Sequence, residues 1–433
     1  VTTTFFDSNL VLLSTIRLGM LLSQTSRALV CSILGRTLPF CATSVTPSSV
    51  WPAAHACSSG LRSRSSSSSS SKPPTAILMM NLGGPATLQD VGPFLDRLFS
   101  DRDIIQLPIQ FISGPTISRF RTPKIEKLYK EIGGGSPIRS WTEKQGDQLE
   151  RLLDQLSPET APHRYYIGFR YADPLSSEAL LKMKEDGVER AVAFTQYPQY
   201  SCTTTGSSLN ELWSQSKLLG LENQIKWSVI DRWFSHPDFV KTVASKVREG
   251  LAKFPTDQDR DDAVILFSAH SLPIKVIDRG DPYPQEVAST VHLVMNQLKD
   301  PGRKYMLCYQ SQVGAVPWLG AQTDKVLEGL GTQGHRNVLV VPIAFTSDHI
   351  ETLHEIDIEF AEVAHKAGIT NFIRAPSLND DPNLAAAMAN IVISHLKSNE
   401  SCSSMYRFKC PGCHTPEKCR QILNPISSPP KLI

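Results

Sequence analysis

Acidic residues are missing from a long stretch of this chain. Between Asp7 and Asp90 there is no Asp or Glu, while Arg17, Arg27, Arg36, Arg62, Arg64 and Lys72 are all basic. The same stretch is rich in Ser, Thr and Ala and ends in the serine run Ser65–Ser71. This is the composition of an organelle transit peptide, a disordered non-targeting tail being the alternative. Apolar runs long enough to cross a bilayer are absent there too: Leu10–Leu13 and Ala28–Leu34 are short and interrupted. The chain opens on Val1, and Met20 is the expected biological start, with residues 1–19 translated from upstream. A peptide from Val1–Arg17 in the native protein would contradict that expectation. Charge of one sign is also scarce. A net charge of +2 makes no case for nucleic acid as a partner.

Cysteine is used sparingly, and its spacing matters more than its number. Of nine cysteines, Cys410, Cys413 and Cys419 crowd into ten residues near the carboxyl terminus. In a reducing compartment this pattern fits metal ligation better than a disulfide framework. A C-x2-C turn lets two thiolates converge on one soft metal centre. Three cysteines leave one ligand missing, with Cys402, His414 or a distant residue such as Cys202 as candidates.

At 433 residues the chain exceeds one core, so two domains are expected once a targeting segment is removed. Beyond residue 73, apolar strands alternate with helical stretches. The predicted strands are Ala76–Leu82, Tyr165–Arg170, Ala191–Gln196, Ile225–Ile230, Ala263–Ser268, Tyr305–Tyr309 and Val338–Ile343. Helical periodicity covers Gln89–Phe99, Thr142–Gln155, Ser177–Lys184, Pro237–Lys253, Pro284–Leu298, Thr323–Leu330 and Ile350–Ala367. Such alternation indicates an α/β fold with parallel sheets covered on both sides. The polar stretch Phe254–Asp262 is the best internal boundary. It divides the body into residues 73–255 and 256–397, with residues 1–72 as the transit peptide and 398–433 as a cysteine-rich extension.

Several strands stop in polar residues, where open α/β sheets place their ligands. Ala263–Phe267 runs into Ser268-Ala269-His270, and Val338–Ile343 runs towards Thr346-Ser347-Asp348-His349. On a 3.6-residue period Glu351, Glu355, Glu359 and Glu362 share one face, while Leu353, Ile356, Phe360 and Val363 form an apolar stripe. Asp348 and Glu351 also fit a capping box, and an acidic face of this kind is usually solvated. His349 falls on the apolar side and is expected to point inward. Histidines and carboxylates at two strand ends of one half favour a common crevice, where an imidazole can take and pass on a proton. Trp318 could stack on an aromatic plane or belong to the core. Arg121, Tyr129 and Ser136 offer donors for carboxylates, with Gly133–Gly135 permitting close approach. The apolar segment Phe94–Ile112 is either ordinary core or an exposed lip for a membrane.

Together these strings resemble the eukaryotic ferrochelatase family, in its vertebrate-like mitochondrial form, over roughly Pro73–Cys419. The matching strings are NLGGPATL, RTPKIEKLY, IGGGSPI, YYIGFRY, AFTQYPQYSCTTTGSSLN, ILFSAHSLP, RGDPYPQEV, VPWLGAQTD and VPIAFTSDHIETL. The resemblance implies two Rossmann-like, flavodoxin-type chelatase domains with a porphyrin cleft between them. It implies a lyase that inserts Fe2+ into protoporphyrin IX, the last step of haem biosynthesis. It also implies a homodimer on the matrix side of the mitochondrial inner membrane, carrying a [2Fe–2S] cluster.

Carried over by motif, His270 is the expected proton acceptor or metal-site histidine. Glu351, with Asp348, His349 and Glu355, is the expected acidic path, and His236 falls where the family has a histidine given an active-site role. Arg121, Tyr129 and Ser136 match porphyrin-carboxylate contacts, and Arg170, Tyr171 and Trp318 match cleft residues. Cys202 matches the isolated cluster ligand beside Cys410, Cys413 and Cys419. The chain departs from the vertebrate pattern in having one residue more between Cys413 and Cys419, which keeps His414 in play as a ligand. Asn390 stands where an acid is expected. The rival functions are a chelatase for another metal or tetrapyrrole, and a haem or porphyrin carrier without catalysis.

Overall fold

The computed structural model describes residues 72–314, 316–413 and Cys419. The transit-peptide expectation, Met20 and His414 lie outside the described residues. Lys72–Ile433 form one compact unit.

Eight strands among the described residues make two four-stranded sheets. The first contains β1 (Thr75–Asn81), β2 (His163–Phe169), β3 (Arg190–Thr195) and β4 (Lys226–Ile230) in the order β2-β1-β3-β4. The second contains β5 (Val264–His270), β6 (Tyr305–Gln310), β7 (Asn337–Pro342) and β8 (Asn371–Arg374) in the order β6-β5-β7-β8. All pairings are parallel. The α/β expectation holds. β1 and β7 are buried at every position because helices cover both faces of a parallel sheet, which explains their unbroken apolar runs.

The two sheets share one core. Ile77 and Met79 of β1, Val192 and Phe194 of β3, Ile265 and Phe267 of β5 and Leu339 of β7 belong to a single buried cluster. Three helices fill it from between: Pro237–Leu251, Tyr283–Leu298 and Pro382–Ser398. The last also packs against helix Ile138–Leu156 of the first half. Gln145 on that helix donates to the Asn379 carbonyl oxygen at 2.7 Å, adding a polar tie across the halves. The proposed boundary Phe254–Asp262 contains a short helix, Asp257–Asp262, capped by the Thr256 side chain.

The seven predicted strands form within a few residues of their expected bounds. β8 was not expected, because its four half-buried residues, NFIR, at a sheet edge carry no apolar run. Helices Ser207–Leu218 and Pro382–Ser398 were likewise missed. The apolar segment Phe94–Ile112 splits. Leu95 and Phe99 are buried on helix Val91–Ser100, whereas Ile109, Phe111 and Ile112 are exposed by 61%, 79% and 56%. The latter begin a 22-residue helix, Gln110–Glu131, which accommodates Pro115 and Pro123. Among the described residues no helix is long and apolar enough to cross a membrane.

Helix Ile138–Leu156 approaches β2 at Gly146, where an added Cβ would come within 2.3 Å of the Tyr165 ring. Gly146→Ala is therefore expected to overpack this contact and cost about 1–3 kcal/mol. Denaturant unfolding checks it; an unchanged midpoint would mean that Tyr165 moves aside freely.

Candidate active site

β5 ends at His270, whose Nδ1 lies 2.6 Å from the Ser271 carbonyl oxygen. A carbonyl oxygen only accepts, so Nδ1 carries a proton, and in the neutral ring the lone pair is on Nε2. Tyr283 hydrogen bonds to the His270 backbone from the start of helix Tyr283–Leu298.

β7 leads through Phe345 and Ser347 into a π-helix, Glu351–Phe360, which continues as the short α-helix Ala361–Lys366. Its widened i→i+5 turns replace the expected 3.6-residue period, and such turns occur frequently at functional sites. His349 stacks on Phe345 with ring centroids 4.4 Å apart. Its Nε2 stands 2.9 Å from Glu351 Oε2, and its Nδ1 stands 3.0 Å from the Ser347 carbonyl oxygen. Burial resists a charged ring here, but Glu351, the Ser347 carbonyl and Asp348 outweigh it and raise the His349 pKa. Burial also opposes the Glu351 charge, yet His349, and His270 from the neighbouring strand end, bring its pKa down to about 2.

Glu355 lies one turn further on and faces the end of β6. It accepts from Ser311 N at 2.6 Å, from Ser311 Oγ, and from Gln310 Nε2 at 3.0 Å. Burial pushes its pKa up despite those donors, and the Glu351 charge adds to the effect. Two neighbouring carboxyls thus shift in opposite directions, Glu351 down and Glu355 up.

Asp348 does not form the expected capping box with Glu351. It accepts instead from Arg374 Nη1 at 2.9 Å, Ser377 Oγ at 2.6 Å, Asn379 Nδ2 at 2.8 Å and Thr352 Oγ1 at 2.9 Å. Burial resists its charge, but Arg374 and the other donors lower its pKa. Asp348 therefore ties the π-helix entry to the end of β8. Glu359 and Glu362, given a solvated role from sequence, turn outward; Glu362 pairs with Lys366 at 2.9 Å.

Tyrosines close the other side. Burial and the nearby Glu351 charge raise the Tyr129 phenol. Tyr197 donates to Asn81 Oδ1 at 2.9 Å and accepts from Leu82 N at 2.7 Å, and the Glu351 charge reaches it as well. Tyr197, Gln310, Ser311 and Arg374 were not singled out in the sequence. The rule that found His270 also applies to Tyr197, Gln310 and Ser311, since each follows or ends an apolar strand.

The remaining candidates are placed apart from this group. Ser136 sits under the Gly133–Gly135 loop, its backbone N–H donating to the Pro85 carbonyl oxygen at 2.7 Å. That loop, with Trp141, Asp348 and Leu353, lines a cavity of about 600 Å3. Arg121 lies over the Phe99 ring at 5.8 Å. Arg170 pairs with Asp101 at 3.1 Å and Glu211 at 3.3 Å, and buried Tyr171 donates to the same Asp101. Half-buried Trp318 donates to the Val313 carbonyl oxygen at 2.9 Å. His236 precedes helix Pro237–Leu251, 4.0 Å from Asp238, and Asn390 donates to that same carboxylate at 2.8 Å. Cys202 opens a π-turn, its N–H donating to Asp281 Oδ2 at 2.7 Å. Burial raises its thiol, and Cys410 is close enough to raise it further. A turn from Cys413 N to the Cys410 carbonyl oxygen, at 3.1 Å, brings those two cysteines together. Among the described residues no three metal-ligating side chains stand close enough to hold an ion.

The family model for ferrochelatase matches residues 74–396. The mitochondrial ferrochelatase of Bos taurus is 54% identical over 348 residues, covering 80% of this chain and 83% of that protein. Its Homo sapiens counterpart is 54% identical with coverages of 80% and 82%, and that of Drosophila melanogaster 49% with 80% and 90%. This chain belongs to the ferrochelatase family. The matched ferrochelatase region takes in both sheets, His270 and the π-helix, and stops before Cys402 and the cysteines that follow.

The buried pair has a pH signature. Glu351 has a folded pKa below its usual 4.5, so its stabilisation is present above about pH 4.5 and is lost as pH falls towards 2. His349 is raised above 6.5, so its stabilisation is present below that pH and is lost as pH rises through the folded value. Glu351→Gln is expected to cost on the order of 3 kcal/mol at pH 5.5, leaving His349 buried without its partner. Urea unfolding at pH 5.5 and pH 3 checks this; the deficit should shrink at the lower pH.

Proposed function

We propose that this chain is a mitochondrial lyase that inserts Fe2+ into protoporphyrin IX to form haem. The observation that carries this reading is the meeting of His270 with the Glu351–His349 pair and Glu355 at adjacent strand ends. Metallation of a porphyrin displaces two pyrrole protons, so the site needs a base and an outlet. His270 Nε2, left basic by the Nδ1 bond to Ser271, takes the two protons from the macrocycle one after the other. Glu355 accepts each in turn and releases it to solvent before the next, because its carboxyl holds a proton more readily than that of Glu351. Glu351 stays charged and offers an oxygen ligand to incoming iron, which must shed its water. Tyr129, Arg121 and Ser136, along the Gln110–Glu131 helix and its glycine loop, hold the porphyrin carboxylates. Trp318 flanks the ring, while Arg170 and Tyr171 support the cleft through Asp101. His236 contributes from the start of helix Pro237–Leu251, and Asp348 holds the acidic turn in place.

Cys202, Cys410, Cys413 and Cys419 would hold a [2Fe–2S] cluster. The proximity of Cys202 to Cys410 and the turn joining Cys410 to Cys413 support three of these donors, and the family resemblance supports Cys419. Bound there, the cluster would cross-link the extension to the body through thiolate bonds. Membrane contact is supported by exposed Ile109, Phe111, Ile112 and Phe120, the last 82% exposed, all on or beside one helix. Similarity to mitochondrial ferrochelatases supports placement on the matrix side of the inner membrane and assembly as a homodimer.

His270→Ala is expected to lower kcat for Fe2+ insertion by roughly 100-fold or more, the scale of a general-base contribution. Anaerobic metallation kinetics measure it, with the visible spectrum recorded on the same sample. Undiminished metallation in the variant would sink the mechanism, and a spectrum without cluster absorption would sink the cysteine assignment.

A further inference from the structure

The helix Gln110–Glu131 bears Arg121 and Tyr129, and it packs mainly on the preceding helix, Val91–Ser100, to which Ser118 and Gln110 also hydrogen bond. Pro115 and Pro123 each remove a backbone donor, and Phe111, Ile112 and Phe120 face outward. Its carboxyl-terminal end is fixed to the π-helix by two contacts. One is apolar: Ile350 packs on the cluster that contains Tyr129. The other is polar. His354 projects from the π-helix with only 4% of its surface exposed. Its Nε2 stands 2.7 Å from Glu131 Oε2, and its Nδ1 stands 3.5 Å from Glu359 Oε1.

Glu131 is the last residue of its helix, where the backbone carbonyls already concentrate negative charge. A donor facing that carboxylate is correspondingly favourable, and the His354 ring supplies one from Nε2. Burying the polar ring costs solvation, and an apolar side chain of similar size would pack the space with less penalty. The hydrogen bond therefore specifies a geometry more than it adds stability. Immediately after Glu131, the Gly133–Gly135 loop closes over the cavity whose lining includes Asp348 and Leu353, the residue next to His354. At Gly135 an added Cβ would lie 2.0 Å from the Ala86 carbonyl oxygen, so the loop has one close-fitting path.

We propose that His354 is a positioning residue: held between Glu131 and Glu359, it fixes the Gln110–Glu131 helix and its glycine loop relative to the π-helix bearing Glu351 and Glu355. It touches no reacting atom. It sets where the Tyr129 and Ser136 side of the cleft meets the acidic turn, and in that respect it rests on the reading of the cleft as the porphyrin site.

Glu131→Gln removes one charge at the half-exposed end of the pair and leaves the core intact. His354→Gln removes the imidazole that meets it, and the double variant completes a cycle. Amide hydrogen exchange of residues 124–136, measured without substrate, should rise about fivefold in either single variant, the scale of a partly exposed charged hydrogen bond. The KM for protoporphyrin should rise by a similar factor with kcat nearly unchanged, and the double variant should be no worse than the singles. Unchanged exchange in Glu131→Gln, or additive effects in the double variant, overturns the polar tie. Raised exchange with an unchanged KM overturns its positioning role. A wild-type protein that metallates no porphyrin defeats the functional reading instead, and the exchange result still decides the tie.

Discussion

Parallel sheets must bury both faces, and that constraint arranges everything else in this protein. Each crossover carries a helix back over the sheet, so all the strands of a sheet end on the same side. In the second sheet those ends deliver His270 from β5, Gln310 and Ser311 from β6, and the segment leading to Glu351 from β7. No single loop assembles the acid–base group. It forms because neighbouring strands stop together.

The π-helix converts that convergence into chemistry. Glu351 and Glu355 both come inward, and their surroundings then separate them. Glu351 meets a histidine that favours its charge, whereas burial and the Glu351 charge favour the protonated form of Glu355. The Asp348 interactions with Arg374, Ser377 and Asn379 keep the first turn in place.

The legibility of these features in the sequence followed their apolar contrast. His270 and the Asp348–Glu351 segment stood out because each interrupts a long apolar run. Arg374 did not, since β8 is a short edge strand of mixed residues with nothing for it to interrupt. The Gln110–Glu131 helix was hidden by two prolines and a weakly amphipathic pattern, so the tie from Glu131 to His354 had no local trace. Periodicity grouped Glu359 and Glu362 with Glu351, an error that follows from applying a 3.6-residue turn to a wider one. Local spacing likewise stopped at three cysteines. Cys202 lies some two hundred residues before Cys410, and folding brings the two close enough for Cys410 to influence its thiol.

The core shared by β1, β3, β5 and β7 carries a further implication. Because Pro237–Leu251 and Pro382–Ser398 contribute to that same cluster, apolar side chains of both sheets are buried against one another. Damage far from His270, anywhere along that common interior, would lower the abundance of the whole enzyme rather than alter its chemistry.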